Sequence, residues 1–185
     1  MRTFFAVFPP AEVVDAIAGA VERIRWPGDS VSWVKPSNVH YTLRFLGELS
    51  ESRVRAAARA GEAAVVGLQH FSLRLGAPGV FPNARRPRVL WLGASEGGEA
   101  LVLLAKSLDE ALRREGFGAP EKPFAPHLTL GRVRESGSGG ASVAETFLGA
   151  TFPTAAFDVP ALSLIHSKLD PRGSIYEPIG RFALH

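Results

Sequence analysis

The chain has 185 residues, of which 46% are hydrophobic, and it carries a formal net charge of +3 at pH 7. This composition is typical of a packed globular protein and argues against a largely disordered chain. The sequence contains no cysteine, which excludes disulfides, thiolate metal sites and a cysteine nucleophile.

The first half of the chain predicts, in order, a buried strand, a helix, two strands and a second helix. Pro10 stands where the first helix starts, and apolar residues follow it at helical spacing. Ser50 is suited to cap the second helix. The predicted ranges are 2–8, 9–25, 31–34, 39–47 and 51–66.

The second half predicts two strands, a helix that ends at Gly116, a further strand, a short helix and two closing strands. A segment rich in Pro and Arg separates the first two strands. A Gly/Ser-rich loop, residues 135–142, is the segment most expected to be disordered. The predicted ranges are 71–77, 88–94, 98–116, 127–133, 143–148, 157–169 and 174–184.

Strands and helices do not alternate strictly, and the connections are short, so the sequence predicts an α+β fold with antiparallel sheets. We expect residues 1–185 to form a single domain. The apolar run at residues 4–8 is too short to span a membrane and lacks the features of a signal peptide, which predicts a cytoplasmic protein.

Two segments of the chain repeat one pattern. NVHYTLRFLGE begins at Asn38 and APHLTLGRVRE begins at Ala125. In a strand, alternate side chains share a face, so His40 and Thr42 project together, as do His127 and Thr129. Each repeat lies in a similar run of strands and helices, which predicts two similar lobes that face each other across a central cleft.

Arginines accompany both repeats. Strict alternation places Arg44 on the face of Thr42, and it places Arg132 opposite Thr129 unless Gly131 introduces a bulge. A further cluster, Arg85, Arg86 and Arg88, is open to two interpretations: a solvated basic surface or a ligand contact.

Aromatic residues near the repeats are interpreted as core. Phe45, Phe81 and Trp91 are the residues concerned, although an aromatic side chain at a cleft edge could also stack on a base. The threonines could be simple strand formers, but each shares a face with a histidine, which favours phosphate binding.

Paired histidines and hydroxyls fit the chemistry of phosphodiester hydrolysis. One imidazole can take a proton from water while the other gives a proton to the leaving oxygen, and hydroxyls can donate to the non-bridging oxygens. This chemistry needs neither metal nor cofactor. A zinc site would need three or four ligands, and threonine is not an ordinary zinc ligand. A nucleophilic serine is less well supported, because the one G-x-S-x-G match, GASEG at residues 93–97, is a single short motif, whereas the histidine pattern occurs twice.

These motifs, together with PRVLWLG and SKLDPRGSIYEPIGRFAL, resemble the two-histidine phosphoesterase superfamily, and within it the RNA 2′,3′-cyclic phosphodiesterases, also called 2′-5′ RNA ligases. The resemblance covers nearly the whole chain. It implies a bilobal, pseudo-twofold fold and metal-independent opening of RNA 2′,3′-cyclic phosphate ends to 2′-phosphates, with 2′-5′ ligation as the reverse-type reaction. It also implies that His40 is the proton donor and His127 the proton acceptor.

The late strand of that family carries a serine followed by an aromatic residue, here Ser167 and Tyr176. His166 precedes the serine, and we assign it no catalytic role. We expect RNA ends or nucleotides as partners, no membrane association and a monomer. Two alternatives stay open: an RNA- or nucleotide-binding module, which would not need both histidines, and a hydrolase of small cyclic nucleotide phosphates.

Overall fold

The structure is a computed structural model that describes residues 1–134, 138–171 and 173–185. In this part of the chain nine strands form one curled antiparallel sheet. The strands are β1 (Arg2–Val7), β2 (Val31–Trp33), β3 (Tyr41–Glu48), β4 (Phe71–Phe81), β5 (Val89–Glu96), β6 (Leu128–Val133), β7 (Ala156–Val159), β8 (Ala161–Lys168) and β9 (Ile175–Ala183).

Four α-helices accompany the sheet in the described residues. They are α1 (Ala11–Ile24), α2 (Glu51–Ala64), α3 (Gly98–Arg114) and α4 (Ser138–Leu148). The Ser50 hydroxyl accepts the backbone N–H of Arg53 and so caps α2, as the sequence predicts. Helix α4 begins at Ser138, within the segment predicted to be a Gly/Ser-rich loop, while residues 135–137 of that segment lie outside the described residues.

The order of strands across the sheet is symmetric about its centre. It runs β7-β4-β5-β6-β3-β1-β8-β9, with β2 paired to β6 beside this path. The two strands that carry the histidine motifs, β3 and β6, are the two central ones, and they meet where Tyr41 pairs with Leu128. The fold is therefore α+β with two related lobes, as predicted.

The first lobe contains strands from both ends of the chain. Strand β4 pairs with β5 and β7 in the second lobe, while β8 pairs with β1 in the first. The predicted single strand over residues 157–169 is in fact two strands, since β7 ends before Pro160 and β8 begins after it. Proline has no N–H for a ladder, and here the chain passes from one lobe to the other.

The two faces of the sheet bury different clusters. One face packs against the helices and buries the main core, which includes Phe5, Leu90 and Leu108. A smaller cluster of Phe4, Ala6 and Ile165, with Phe8 and Tyr176 packed against it, belongs to neither that core nor the helices. Since Phe4 and Ala6 alternate with Phe5 along β1, the small cluster lies on the opposite face, which is the face of the histidines.

Among the described residues no helix is both long enough and apolar enough to cross a membrane.

Candidate active site

A hydrogen bond to the backbone two residues earlier fixes the imidazole of His40. Its Nδ1 lies 2.7 Å from the carbonyl oxygen of Asn38. A carbonyl oxygen can only accept, so Nδ1 carries a proton and donates it. The other nitrogen, Nε2, lies 2.7 Å from Oγ1 of Thr42. In neutral His40 the threonine hydroxyl donates to Nε2, and in protonated His40 the Nε2–H donates to the hydroxyl.

His127 is held in the same way on the other central strand. Its Nδ1 lies 2.8 Å from the carbonyl oxygen of Ala125, again two residues earlier in the chain. The same reasoning places the proton of neutral His127 on Nδ1 and leaves Nε2 as the free acceptor. The repeated sequence therefore produces a repeated anchoring of both imidazoles.

Aromatic rings pack around both imidazoles. The ring of His40 lies 4.9 Å from that of Phe4, 5.3 Å from that of Phe8 and 5.3 Å from that of Tyr176. The ring of His127 lies 5.4 Å from that of Phe81, edge to face. These contacts restrict each imidazole to one orientation.

Burial lowers the pKa of His40 below its ordinary value. The hydrogen bond to Asn38 raises it in part, while the nearby charges of His127 and Arg132 lower it further. Free of an anionic ligand, His40 therefore favours its neutral form. His127 acts on His40 because the two motifs lie side by side, where Tyr41 pairs with Leu128.

A cleft of about 320 Å³ lies beside His40 on this face of the sheet. His40, Thr42, Thr129 and Arg132 line it, so three of the four motif residues lie along one cavity. His127 is not one of its lining residues, but it shares a strand face with Thr129, two residues away.

A β-bulge on β6 brings Arg132 into the cleft. Leu90 of β5 pairs with Gly131 and the next residue, Trp91, pairs with Thr129, so Leu130 is an extra residue in β6. The bulge interrupts the alternation, and Arg132 reaches the face of Thr129. The sequence allows for a bulge at Gly131, and the bulge is present one residue earlier, at Leu130.

A β-bulge on β3 has the opposite effect on Arg44. Phe5 of β1 pairs with Arg44 and the next residue, Ala6, pairs with Thr42, so Leu43 is the extra residue. Arg44 thus lies on the helix-covered face of Phe5, where Nη1 donates to Oδ1 of Asp109 at 3.1 Å. The prediction that Arg44 shares the face of Thr42 is wrong, because it assumed an unbroken alternation.

The same bulge places Phe45 in the cleft. Its side chain is 52% exposed, which corrects the interpretation of Phe45 as a core residue. The guanidinium of Arg2 lies 5.1 Å from the centre of its ring. The two motifs differ at the position three residues after the threonine. There β3 places Phe45 in the cleft, whereas β6 places Arg132 in it.

Further residues that line the cleft were not identified from the sequence. Arg2 lies on β1, and Asn38 donates through Nδ2 to the carbonyl oxygen of Ser174 at 2.8 Å. Ser167 and Tyr176, which the late-strand motif did indicate, are cross-strand partners and both line the cleft. His166 is not among the lining residues.

A comparison with known protein families identifies the chain. The model of the 2′-5′ RNA ligase superfamily matches residues 13–171. The chain belongs to this superfamily.

Other members of the superfamily match it over their full length. A protein from Archaeoglobus fulgidus named RNA 2′,3′-cyclic phosphodiesterase is 37% identical, with 98% of this chain and 99% of the relative covered. A protein of the same name from Methanothermobacter thermautotrophicus is 32% identical, with 100% and 99% covered. The prediction of an enzyme of this family is confirmed.

Solved structures of the superfamily share the fold described above. The crystal structure of TT0787 from Thermus thermophilus superposes with a TM-score of 0.84 at 30% identity, with 100% of this chain and 98% of that chain covered. E. coli LigT complexed with 3′-AMP gives a TM-score of 0.76 at 29% identity, with 99% and 97% covered.

Proposed function

We propose that this chain hydrolyses RNA 2′,3′-cyclic phosphate ends to 2′-phosphomonoesters without a metal ion, with His40 and His127 as acid and base. The observation that carries the proposal is the identical anchoring of the two imidazoles, each with Nδ1 held by a carbonyl two residues back. The relatives named RNA 2′,3′-cyclic phosphodiesterase support the choice of substrate.

The proposed displacement exchanges one P–O bond for another. Water attacks phosphorus, and Nε2 of His127 takes a proton from it. The bond between phosphorus and the 3′ oxygen breaks, and Nε2–H of His40, which donates to Thr42 before the reaction, donates to that oxygen instead and gives it its proton. The product is a 2′-phosphomonoester with a free 3′-hydroxyl, and a general acid and a general base each act once.

Protonation of His40 depends on the substrate in this mechanism. Burial and the charge of Arg132 lower the pKa of His40 in the free protein. A cyclic phosphodiester brings one negative charge into the cleft, where it opposes these effects and favours the imidazolium. Binding of the substrate thus prepares the acid for the reaction.

Donors along the cleft would hold the phosphate. Thr42, Thr129 and Arg132 line the cavity next to His40 and can donate to the non-bridging oxygens. Donors fixed in place before the reaction stabilise the charge that develops in the transition state. The bulge at Leu130 supplies the cationic member of this set.

The metal-free character of the mechanism rests on the residue types at hand. In the described ranges no three His, Asp or Glu side chains come together in a cluster that could hold a metal ion. The two imidazoles also supply both proton transfers, which leaves no step that needs a metal-bound water.

The test is incubation of the protein with a short RNA ending in a 2′,3′-cyclic phosphate, in the presence of EDTA, followed by identification of the product. We expect the 2′-monophosphate and no loss of rate with EDTA. A 3′-monophosphate product, or activity that EDTA abolishes, would contradict the proposal. Binding without turnover would instead indicate an RNA-binding module.

Two extensions use the same cleft. If the 5′-hydroxyl of a second RNA replaces water as the nucleophile, the same displacement produces a 2′-5′ linkage, which is the proposed ligation. Hydrolysis of small cyclic nucleotide phosphates is the second candidate function, and the LigT complex with 3′-AMP favours it, since that protein holds a mononucleotide. Parallel assays with a cyclic mononucleotide distinguish the two substrate classes.

A further inference from the structure

The segment between β4 and β5 is the most basic stretch of chain near the site. We define the arginine loop as residues 82–88, which contain Arg85, Arg86 and Arg88. All three side chains are exposed, and none has an acidic partner among the residues that the structure describes. Three uncompensated cations on one short loop favour an anionic partner.

The loop has a defined shape that holds the arginines together. Oδ1 of Asn83 accepts the backbone N–H groups of Arg85 and Arg86, both at 3.1 Å. The N–H of Arg88 donates to the carbonyl oxygen of Phe81 at 2.7 Å and closes the loop. The arginines are thus displayed on a turn whose backbone is internally hydrogen-bonded.

The loop starts at the His127 side of the site. Phe81, the residue before it, packs edge to face on His127 and stacks on Trp91 at 4.8 Å. At the other end of the loop, the carbonyl oxygen of Arg88 accepts the N–H of Val133, the neighbour of Arg132 on β6. Both ends of the loop are therefore tied to residues next to the cleft.

Two cations on the His40 side of the sheet have acidic partners. Lys168 of β8 pairs with Glu177 of β9 at 2.6 Å, and the N-terminal ammonium pairs with Glu48 of β3 at 3.2 Å. Arg2 on that side lines the cleft itself and lies against Phe45, whereas the arginine loop presents three exposed cations together on the His127 side, where they would attract an extended polyanion that leaves the cleft. The geometry of the substrate adds a constraint, because a terminal cyclic phosphate leaves the rest of the RNA attached only on its 5′ side.

We propose that the arginine loop binds the backbone phosphates of the RNA nucleotides 5′ to the cyclic phosphate, so that the enzyme prefers RNA ends to cyclic mononucleotides. This inference rests on the proposed function and adds the part of the protein that binds the RNA chain beyond the cyclic phosphate. Exposed arginines contact successive phosphates without reading base identity, so the preference depends on chain length and not on sequence.

The test compares a cyclic mononucleotide with a hexanucleotide that ends in a 2′,3′-cyclic phosphate. The loop variant is Arg85→Gln/Arg86→Gln/Arg88→Gln. The matched control, Arg55→Gln/Arg113→Gln/Arg114→Gln, removes the same charge from exposed positions on α2 and α3. Thermal unfolding of both variants verifies that they are folded.

We expect the loop variant to retain the kcat/KM of the parent on the mononucleotide and to lose about tenfold or more on the hexanucleotide at low salt. Three lost phosphate contacts should reduce the slope of log kcat/KM against log salt by roughly 2 for a single strand. The control should match the parent on both substrates. Equal losses on both substrates, an unchanged slope, or no length preference in the parent would each overturn the inference.

A binding measurement separates this inference from the proposed function. Fluorescence anisotropy with a labelled hexanucleotide that ends in a 2′-phosphate needs no turnover. Should the parent hydrolyse neither substrate, the proposed function fails, and selective loss of hexanucleotide binding in the loop variant would still support the loop as an RNA contact. Loop-dependent binding to anionic vesicles or polyglutamate as strong as binding to RNA would overturn it.

Discussion

Tyr41 of β3 pairs with Leu128 of β6, and both side chains are fully buried at 0% exposure. Each residue is the centre of a His-x-Thr motif, so the pairing places both histidines and both threonines on the face opposite the two buried side chains. Tyr41 is further fixed by its hydroxyl, which donates to the carbonyl oxygen of Gly93 at 3.2 Å. The pair joins the two central strands of the sheet, with three further strands on each side in the strand order.

The roles of the two histidines can be separated by the leaving group. We expect His40→Ala and His127→Ala each to lose about 10²–10⁴ in rate on the cyclic phosphate, the usual contribution of a positioned acid or base. A nitrophenyl ester has a leaving group that needs no proton, so His40→Ala should recover most of its rate on it and His127→Ala should not. Recovery by the His127 variant instead would exchange the two roles.

The threonine hydroxyls should contribute to the reaction through charge stabilisation. Thr42→Val and Thr129→Val keep the shape of the side chain and remove the donor, and we expect losses of about 10²–10³ in kcat, as for other preorganised donors. Thr42→Ser and Thr129→Ser keep the hydroxyl and serve as controls that should remain active. Full activity in both valine variants would leave the threonines as strand formers.

Loss of Arg132 should reduce activity, whereas loss of Arg44 should reduce stability. Arg132→Gln is expected to reduce kcat/KM by about 10–100-fold, the scale of a hydrogen bond to a charged group, with little effect on stability. Arg44→Gln leaves the partly buried Asp109 without its partner. It should lower the free energy of unfolding by about 1–3 kcal/mol and leave kcat/KM of the remaining folded protein unchanged. Urea unfolding and steady-state kinetics measure the two effects, and the reverse pattern would contradict the assignment.

The bulged strand β6 should be intolerant of a side chain at Gly131. A Cβ there would lie 2.7 Å from Cγ1 of Val31 and 3.1 Å from Cε3 of Trp33. We expect Gly131→Ala to lose about 1–3 kcal/mol of stability through overpacking, and to lose activity because Arg132 moves. Gly139→Ala on α4, where an added Cβ would meet no other side chain or strand of the described residues within 4 Å, is the matched control and should not be destabilised. Wild-type stability of Gly131→Ala would show that β2 can shift freely.

The lowered pKa of His40 should appear in the stability of the protein at acid pH. In the unfolded chain a histidine titrates near 6.5, whereas the folded pKa of His40 is lower. Between these values the unfolded state binds more protons, so the free energy of unfolding falls as the pH drops below about 6.5. His40→Asn should lose less stability over this interval in urea unfolding. An identical decline in both proteins would contradict the shift.

The lowered pKa of His40 in the free protein also predicts that the pH profiles of kcat and of kcat/KM differ. The kcat/KM profile reports groups of the free enzyme, and the kcat profile reports those of the substrate complex. If His40 is the acid, its bound phosphodiester should move the alkaline limb of kcat to higher pH than that of kcat/KM. Coincident limbs would show that the substrate charge does not act on His40.

The sequence predicts the site only as far as side chains alternate regularly between the two faces of a strand. His40 and Thr42 are two positions apart before any bulge, and alternation places them correctly, as it does for Thr129. Beyond the threonines the prediction for β3 fails, because Leu43 is an extra residue there and no glycine in that stretch signals it.

The pairing partners of the strands are equally hard to predict. The sequence predicts one strand over residues 157–169 and does not reveal that the chain changes lobes at Pro160, since the choice of partner depends on strand edges provided by distant segments. Arg2 enters the cleft for a similar reason: β1 lies between β3 and β8, and no local pattern near Arg2 predicts this. Unbroken alternation along β3 would place Phe45 on the buried face with Tyr41, whereas the extra residue Leu43 places it in the cleft.

The exchange of strands between the two halves of the chain has a consequence for folding. The first lobe takes β1 and β3 from the start of the chain and β8 and β9 from its end, so the first half alone would leave β1 without β8, and the second half alone would leave β8 without β1. Neither half is therefore expected to be an autonomous folding unit, and fragments of the chain would present unpaired strand edges that aggregate. The two histidines should consequently gain and lose their native setting in a single cooperative transition, with no stable species in which only one of them is in place.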